Sequence, residues 1–245
     1  MLDAGRLALL LIAMLLSQLA IGWTNDYRDR EHDRLHQPAK PVPAGLVPAR
    51  LLPWAASAAV AASLAVGVAL AALPLLFLVA GTAAGLAYDL GLKDTRLSWL
   101  PYVVALSVLP PFVWASLDVF RDEFLWLYPV AAPLAVAAHL ANVLPDLETD
   151  TAAGRRSLAV ALGRDGSLRL LAGCLVAPLA VLALSLLWLA YETSLLLPAL
   201  VAYLLLASAA LVLLRRGLGR RGDVGAFRLV VLVSVLFAAG WLAAV

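Results

Sequence analysis

Eight apolar runs, each close to the length that crosses a bilayer, constrain this chain more than any other feature. They lie near residues 7–23, 51–73, 75–90, 99–117, 124–143, 168–190, 195–214 and 227–245. Helical runs of about 16 to 23 residues suit a hydrocarbon core ~30 Å thick, the shorter ones continuing into polar ends. The stretch from Leu51 to Leu90 is about two crossings long, and it is expected to split at Leu73-Pro74, a tight turn that leaves no loop on that side. Composition agrees: 64% hydrophobic residues, 14% charged residues and a mean hydropathy of +0.95 are far more apolar than a soluble domain. The expected fold is all-α, a single polytopic membrane helical bundle of about eight transmembrane helices spanning residues 1–245. The lone cysteine, Cys174, lies in an apolar run, which excludes a disulfide framework and a cysteine-based metal site.

Orientation follows from the basic residues. The loops 24–50, 91–98, 144–169 and 215–228 share one side of the membrane and carry 16 of the 18 Lys and Arg residues, whereas Arg121 alone lies in the opposite loops. The excess of positive charge places the first set in the cytoplasm, both termini outside, and the chain in the inner or plasma membrane. Arg6 then falls on the wrong side, which leads to the expectation of a further helix before residue 1. Asp3 beside Arg6 makes a poor signal-peptide start, so the first run is read as a span.

The densest charge in the chain is Asn25-Asp26-Tyr27-Arg28-Asp29-Arg30-Glu31-His32-Asp33, at the mouth of the first span. If the helix continues through it, Asn25, Asp26, Asp29 and Asp33 fall within one arc of roughly 100°. Carboxylates so placed repel one another unless a cation compensates, and the economical reading is a hard divalent metal, Mg²⁺ ahead of Ca²⁺. A solvated cytoplasmic loop fits the same residues. The spacing recurs, however: Asn25, Asp29 and Asp33 are repeated 117 residues later as Asn142, Asp146 and Asp150, on the same side of the membrane. Two such clusters at helix ends suit a diphosphate, whose charge approaches carboxylates only through bridging divalent cations. Lys40 and Lys93, the only lysines, lie in loops on that side and suit non-bridging phosphate oxygens, and Arg28, Arg155 and Arg156 add to them. An arginine in such a loop is equally at home as a topology determinant or a lipid contact.

Asn25-Asp26-x₂-Asp29-x₃-Asp33 followed by Lys-Pro-x-Pro-x-Gly, then Tyr88-x₄-Lys93, then Asp146-x₃-Asp150-x₃-Gly154 leading to Ser157-Leu158-Ala159-Val160-x₂-Gly163, resembles the UbiA superfamily of intramembrane prenyltransferases. The resemblance covers nearly the whole chain. It implies a helical bundle around a central cavity, nine helices being the family norm, with two Mg²⁺ ions. It further implies transfer of a prenyl group from a prenyl diphosphate to a lipophilic acceptor, with release of pyrophosphate. Carried over residue by residue, Asn25, Asp29 and Asp33 hold one metal, with Asp26 matching the motif, and Asp146 and Asp150 hold the other with Asn142 in support. Lys93 grips diphosphate and Tyr88 lies near the allylic carbon, so that Lys93, Tyr88, Asp29 and Asp146 are the expected catalytic set. Diphosphate is expected to meet Arg28, Lys40, Lys93, Arg155 and Arg156.

On physical grounds the allylic cation must be kept from water, which a cavity inside a membrane bundle does. Tyr88, Tyr102, Trp99, Phe112 and Trp114 are candidates to face it, although Trp99, Trp126, Tyr128, Trp188 and Tyr191 also suit an interfacial belt. His139, one turn before Asn142, is expected either to take a proton or to hydrogen-bond Asn142. The acceptor is left open among aromatic quinone precursors, which are preferred, glycerol-type lipids, sugar phosphates and porphyrin-derived compounds. Membrane lipid is an expected partner and nucleic acid is not. The competing readings are a terpene cyclase using the same ionisation, a non-catalytic membrane protein and a divalent-cation transporter.

Overall fold

The computed structural model describes residues 3–245, the side chain at position 220 excepted. All regular structure among them is helical. The long helices are α1 (Ala4–His36), α2 (Leu52–Leu70), α3 (Ala72–Leu90), α4 (Leu100–Leu117), α5 (Leu127–Val143), α7 (Leu158–Ser185), α8 (Thr193–Arg216) and α9 (Gly219–Ala244), with a short α6 (Leu147–Ala152) between α5 and α7. Eight helical stretches among the described residues are long and apolar enough to cross a membrane, in agreement with the eight runs.

Where helices begin and end differs from the hydropathy pattern in three places, each with a local cause. The second and third spans part at Ala71 rather than at Leu73-Pro74. A proline ring clashes with the carbonyl four residues back, here Leu70, the last residue of α2; Pro74 itself sits in the first turn of α3, where its missing N–H costs nothing. Helix α7 starts ten residues before the apolar run, because Ser157 caps it by accepting from the Val160 N–H at 3.3 Å, and it kinks at Gly163 (φ 66°). Helix α9 starts at the polar Gly219 rather than at residue 227.

The chain divides into two compact units. The first runs up to Lys93 and includes Val108–Phe120. In it α1 lies along α2 and against α3, around a core of Leu10, Ala13, Leu70, Leu78 and Phe112. Buried hydroxyls lock these helices where apolar packing alone would let them slide: Ser63 donates to the Ala13 carbonyl at 2.8 Å, and the Ser17 and Thr82 hydroxyls are 2.7 Å apart. Phe112, considered above for a cation-facing role, is part of this core.

The second unit comprises Asp94–Ser107 and Arg121–Val245. Its central helix is α5, where Val130, Leu134, Ala135, Ala137, Ala138, His139, Leu140 and Ala141 are all buried. The small residues let α7 and α9 approach closely. Arg164 ties three helices together, holding both Asp223 oxygens at 2.9 Å and the Leu214 carbonyl at 2.9 Å. The boundary between the units within α4 falls at Ser107–Val108, beside the two carbonyls that Pro110 and Pro111 leave without their helical donors.

Gly240 of α9 packs on Ala199 of α8 so closely that a Cβ there would overlap the Ala199 methyl, whereas a Cβ at Gly173 would meet nothing. Overpacking of this kind costs about 1–3 kcal/mol. Gly240→Ala should therefore lower the thermal midpoint of the detergent-solubilised protein by several degrees. Gly173→Ala should leave it unchanged or raise it, as size-exclusion after a heating series would show.

Candidate active site

The first aspartate motif lies on the body of a helix. Nothing between Trp23 and His36 interrupts α1, and it ends only where Gln37 precedes Pro38, a position that disfavours helix. At 33 residues α1 is about 50 Å long, so its last turns project beyond a single hydrocarbon thickness and carry Asn25, Asp26, Asp29 and Asp33 on adjoining faces. At the end of α3, Gly91 adopts φ 149° and folds the chain back into the short turn Leu92–Asp94, which returns Lys93 to α1.

These residues form one network. The Lys93 ammonium donates to both Asp29 oxygens at 2.6 and 2.7 Å and lies 4.0 Å from Asp89 Oδ1. The Asn25 amide nitrogen donates to Asp29 Oδ2 at 3.0 Å and to Asp89 Oδ1 at 2.9 Å. Lys40 binds Asp33 at 2.7 Å and lies 4.0 Å from Asp26. Asp33, Asp89 and Lys93 are buried, with 3%, 2% and 8% of their side chains exposed. Tyr88 is half-buried in the last turn of α3, and Arg28 is exposed on the flank of α1. Each ammonium group is thus shared between two carboxylates, Lys93 between Asp29 and Asp89 and Lys40 between Asp33 and Asp26.

The second motif is built differently, because Pro145 ends α5 at Val143 and turns Leu144–Asp146 into a tighter helix before α6. Asp146 is half-buried and Asp150 buried. Gly154, at φ 70°, reverses the chain so that the Arg155 N–H reaches the Asp150 carbonyl at 3.0 Å and its guanidinium Nε lies 3.5 Å from Asp150 and 3.4 Å from Asp94. Arg156 donates its backbone N–H to the Asp94 carbonyl at 3.2 Å, and its side chain is exposed. The Asn142 amide donates to the Tyr102 hydroxyl at 2.9 Å. Arg155 is thus shared between Asp94 and Asp150.

His139 does not bond Asn142. Its Nε2 is 3.0 Å from the Ser98 hydroxyl, which also accepts the Leu158 N–H at 3.1 Å, and its ring meets the Tyr102 ring edge at 5.0 Å. Tyr102 therefore links His139 to Asn142. Tyr191, expected in an interfacial belt, is half-buried; its hydroxyl is 2.6 Å from that of Ser185 and accepts from the Trp241 indole at 2.9 Å.

Asp89 and Asp94 escaped the sequence reading because the twofold motif drew attention to a spacing they do not share. The signal for Asp89 was its position, an ionisable group closing an apolar helix. Among the described residues no three carboxylate, imidazole or thiolate groups converge as a preformed metal cage; the lysines and Arg155 occupy the carboxylates. The donor set of hard oxygens and the Oδ2 atom of Asp89, buried without a hydrogen-bond partner among the described residues, nonetheless suit a hard divalent cation.

The relationships of the chain define its class. The model of the UbiA prenyltransferase family matches residues 1–236, and the chain belongs to that family. Over 170 residues, 65% of the chain, it is 28% identical to digeranylgeranylglyceryl phosphate synthase of Pyrococcus abyssi, and the match spans 57% of that protein's length. The fold is that of a UbiA homologue from Aeropyrum pernix K1 (TM-score 0.73, 22% identity, 98% of this chain and 90% of that one). A UbiA homologue from Archaeoglobus fulgidus is equally similar (TM-score 0.73, 20% identity, 99% and 88%). A UbiA homologue from Archaeoglobus fulgidus has also been solved bound to Cd²⁺ (TM-score 0.65, 16% identity, 98% and 87%).

Ser98 is fully buried and serves both the first N–H of α7 and His139. Ser98→Ala should cost about 1–3 kcal/mol, the penalty of a buried donor left without its acceptor. Thr151→Ala, which removes an exposed bond to the Leu147 carbonyl, should change stability by less than about 0.5 kcal/mol in the same thermal assay.

Proposed function

We propose that this protein transfers a prenyl group from a prenyl diphosphate to a lipophilic acceptor within the membrane, releasing pyrophosphate in a Mg²⁺-dependent reaction. The observation that carries this reading is the pairing of carboxylates of each acidic motif with Lys40, Lys93 or Arg155, side chains able to exchange them for phosphate. Asn25, Asp26, Asp29 and Asp33 hold one ion, and Asn142, Asp146 and Asp150 hold the second. Bound Mg²⁺ neutralises the diphosphate and stabilises pyrophosphate as it leaves. Lys93 and Lys40, which hold Asp29 and Asp33 in the structure, turn to non-bridging phosphate oxygens when those carboxylates take up metal. Arg28, Arg155 and Arg156 add positive charge on the same substrate. Tyr88 faces the allylic carbon. The surrounding apolar helices keep water from the allylic cation and take up the isoprenoid, each buried methylene contributing about 0.8 kcal/mol.

Acceptors to be assayed include aromatic ring compounds and, because of the name of the Pyrococcus abyssi relative, a glyceryl phosphate lipid. With both motifs on the cytoplasmic face of a plasma membrane, soluble prenyl diphosphates reach the enzyme directly.

Purified protein given prenyl diphosphates of several lengths and a membrane extract as acceptor source should release pyrophosphate in the presence of Mg²⁺ and not with EDTA. Asp29→Ala and Asp146→Ala should each lower the rate by about 10²–10³-fold, the range for loss of a charge-stabilising group. Absence of Mg²⁺-dependent release with every donor, or full activity of the Asp29→Ala/Asp146→Ala double variant, would overturn the reading. Release that needs no acceptor and yields a cyclic hydrocarbon would identify a cyclase instead.

A further inference from the structure

We propose that Asp89 is a direct ligand of the divalent cation held by the first motif, a carboxylate supplied from α3 and not from the aspartate repeat. The inference rests on the metal-dependent reading above and extends it to a residue outside both motifs.

Three observations carry it. Asp89 is 2% exposed, and its Oδ2 has no hydrogen-bond partner among the described residues, although a buried carboxylate oxygen without a donor is costly and seldom retained. Its other oxygen is fixed: Oδ1 accepts from the Asn25 amide at 2.9 Å, and the same nitrogen donates to Asp29 at 3.0 Å. One amide group thus bridges the two carboxylates with its nitrogen, which leaves its own carbonyl oxygen, a hard donor, for other use. Finally, a cationic nitrogen already lies among them, because Lys93 Nζ is 2.6 and 2.7 Å from the Asp29 oxygens and 4.0 Å from Asp89 Oδ1. The ammonium group stands where positive charge is required, and it is bound to one carboxylate while the other keeps an unfilled oxygen. A divalent cation that displaced the ammonium from Asp29 and drew on the unfilled Oδ2 of Asp89 as a further ligand would free Lys93 for the diphosphate. No proton or bond is exchanged; the step is a substitution of one cation for another.

The competition between Lys93 and metal separates this role from a purely structural one. Mn²⁺ binding is measured by loss of the free-ion electron paramagnetic resonance signal, on full-length protein in detergent without prenyl diphosphate. The parent carries Asp146→Asn and Asp150→Asn, so that only the first motif reports. The parent should bind one Mn²⁺, displaced by Mg²⁺. Asp89→Asn should weaken binding at least about 10-fold, within the range for loss of a group that orders a metal site, and Asp89→Glu should restore part of the loss. Lys93→Gln should tighten binding, because it removes the competing charge; this variant keeps the proposal testable if Asp89→Asn does not fold. Unaltered Mn²⁺ affinity in Asp89→Asn, or in Lys93→Gln, overturns the role of Asp89 and leaves the wider reading standing. Unaltered affinity in Asp29→Ala, or no Mn²⁺ bound by the parent, overturns both.

Discussion

A carboxylate at the end of a membrane helix must meet a cation, and most of what is distinctive in this protein follows from that requirement. Taking such a group out of water without a partner costs several kcal/mol. Asp33 and Asp29 meet it through Lys40 and Lys93, Asp150 through Arg155, and Asp223 through Arg164. These pairings differ in kind. Arg164 grips Asp223 with two nitrogens and spends a further bond on the Leu214 carbonyl, a saturated arrangement that fixes three helices. Around the first motif Lys40 and Lys93 are each shared between two carboxylates, and Asp89 keeps an oxygen without a hydrogen-bond partner among the described residues. Saturation suits a strut, whereas a shared cation suits exchange.

The backbone places these pairs by a few local devices. An uninterrupted α1 carries the first motif beyond the apolar span, and Gly91 turns the chain at the end of α3 so that Lys93 returns to it. In the second unit Pro145 ends α5 early and Gly154 brings Arg155 back over Asp150. The two motifs share a spacing in sequence without sharing a conformation: one lies on a straight helix and the other spans a tight turn and a short helix. The shared spacing is therefore not the mark of one repeated structural unit.

Hydropathy was enough to find all eight crossings, because a span is defined by transfer of its side chains from water and each run is long and unbroken. It misplaced the starts of α7 and α9: α7 begins at Leu158 under a serine cap, ahead of the polar stretch 164–169 that interrupts the apolar pattern, and α9 begins at Gly219 with polar turns before its apolar run. Helical periodicity was enough to group Asn25, Asp26, Asp29 and Asp33. It had no means of finding Asp89, whose membership depends on α3 returning beside α1, a contact 64 residues apart in the chain. For the same reason the hydrogen bond of His139 to Ser98, 41 residues away, is not legible in local spacing, which offers only a proton-accepting role or a bond to Asn142. Local spacing reports on one helix face, and a site assembled from several helices is legible only in part.

The central claim is that each acidic motif holds a divalent cation. Anomalous diffraction at the manganese edge, from crystals grown with Mn²⁺ and a non-hydrolysable prenyl thiolodiphosphate, tests it most directly. The account predicts one peak within coordination distance of Asp29 and another within coordination distance of Asp146, with Lys93 drawn away from Asp29. Peaks at neither motif, with Lys93 still bound to both Asp29 oxygens beside an ordered diphosphate, would contradict it.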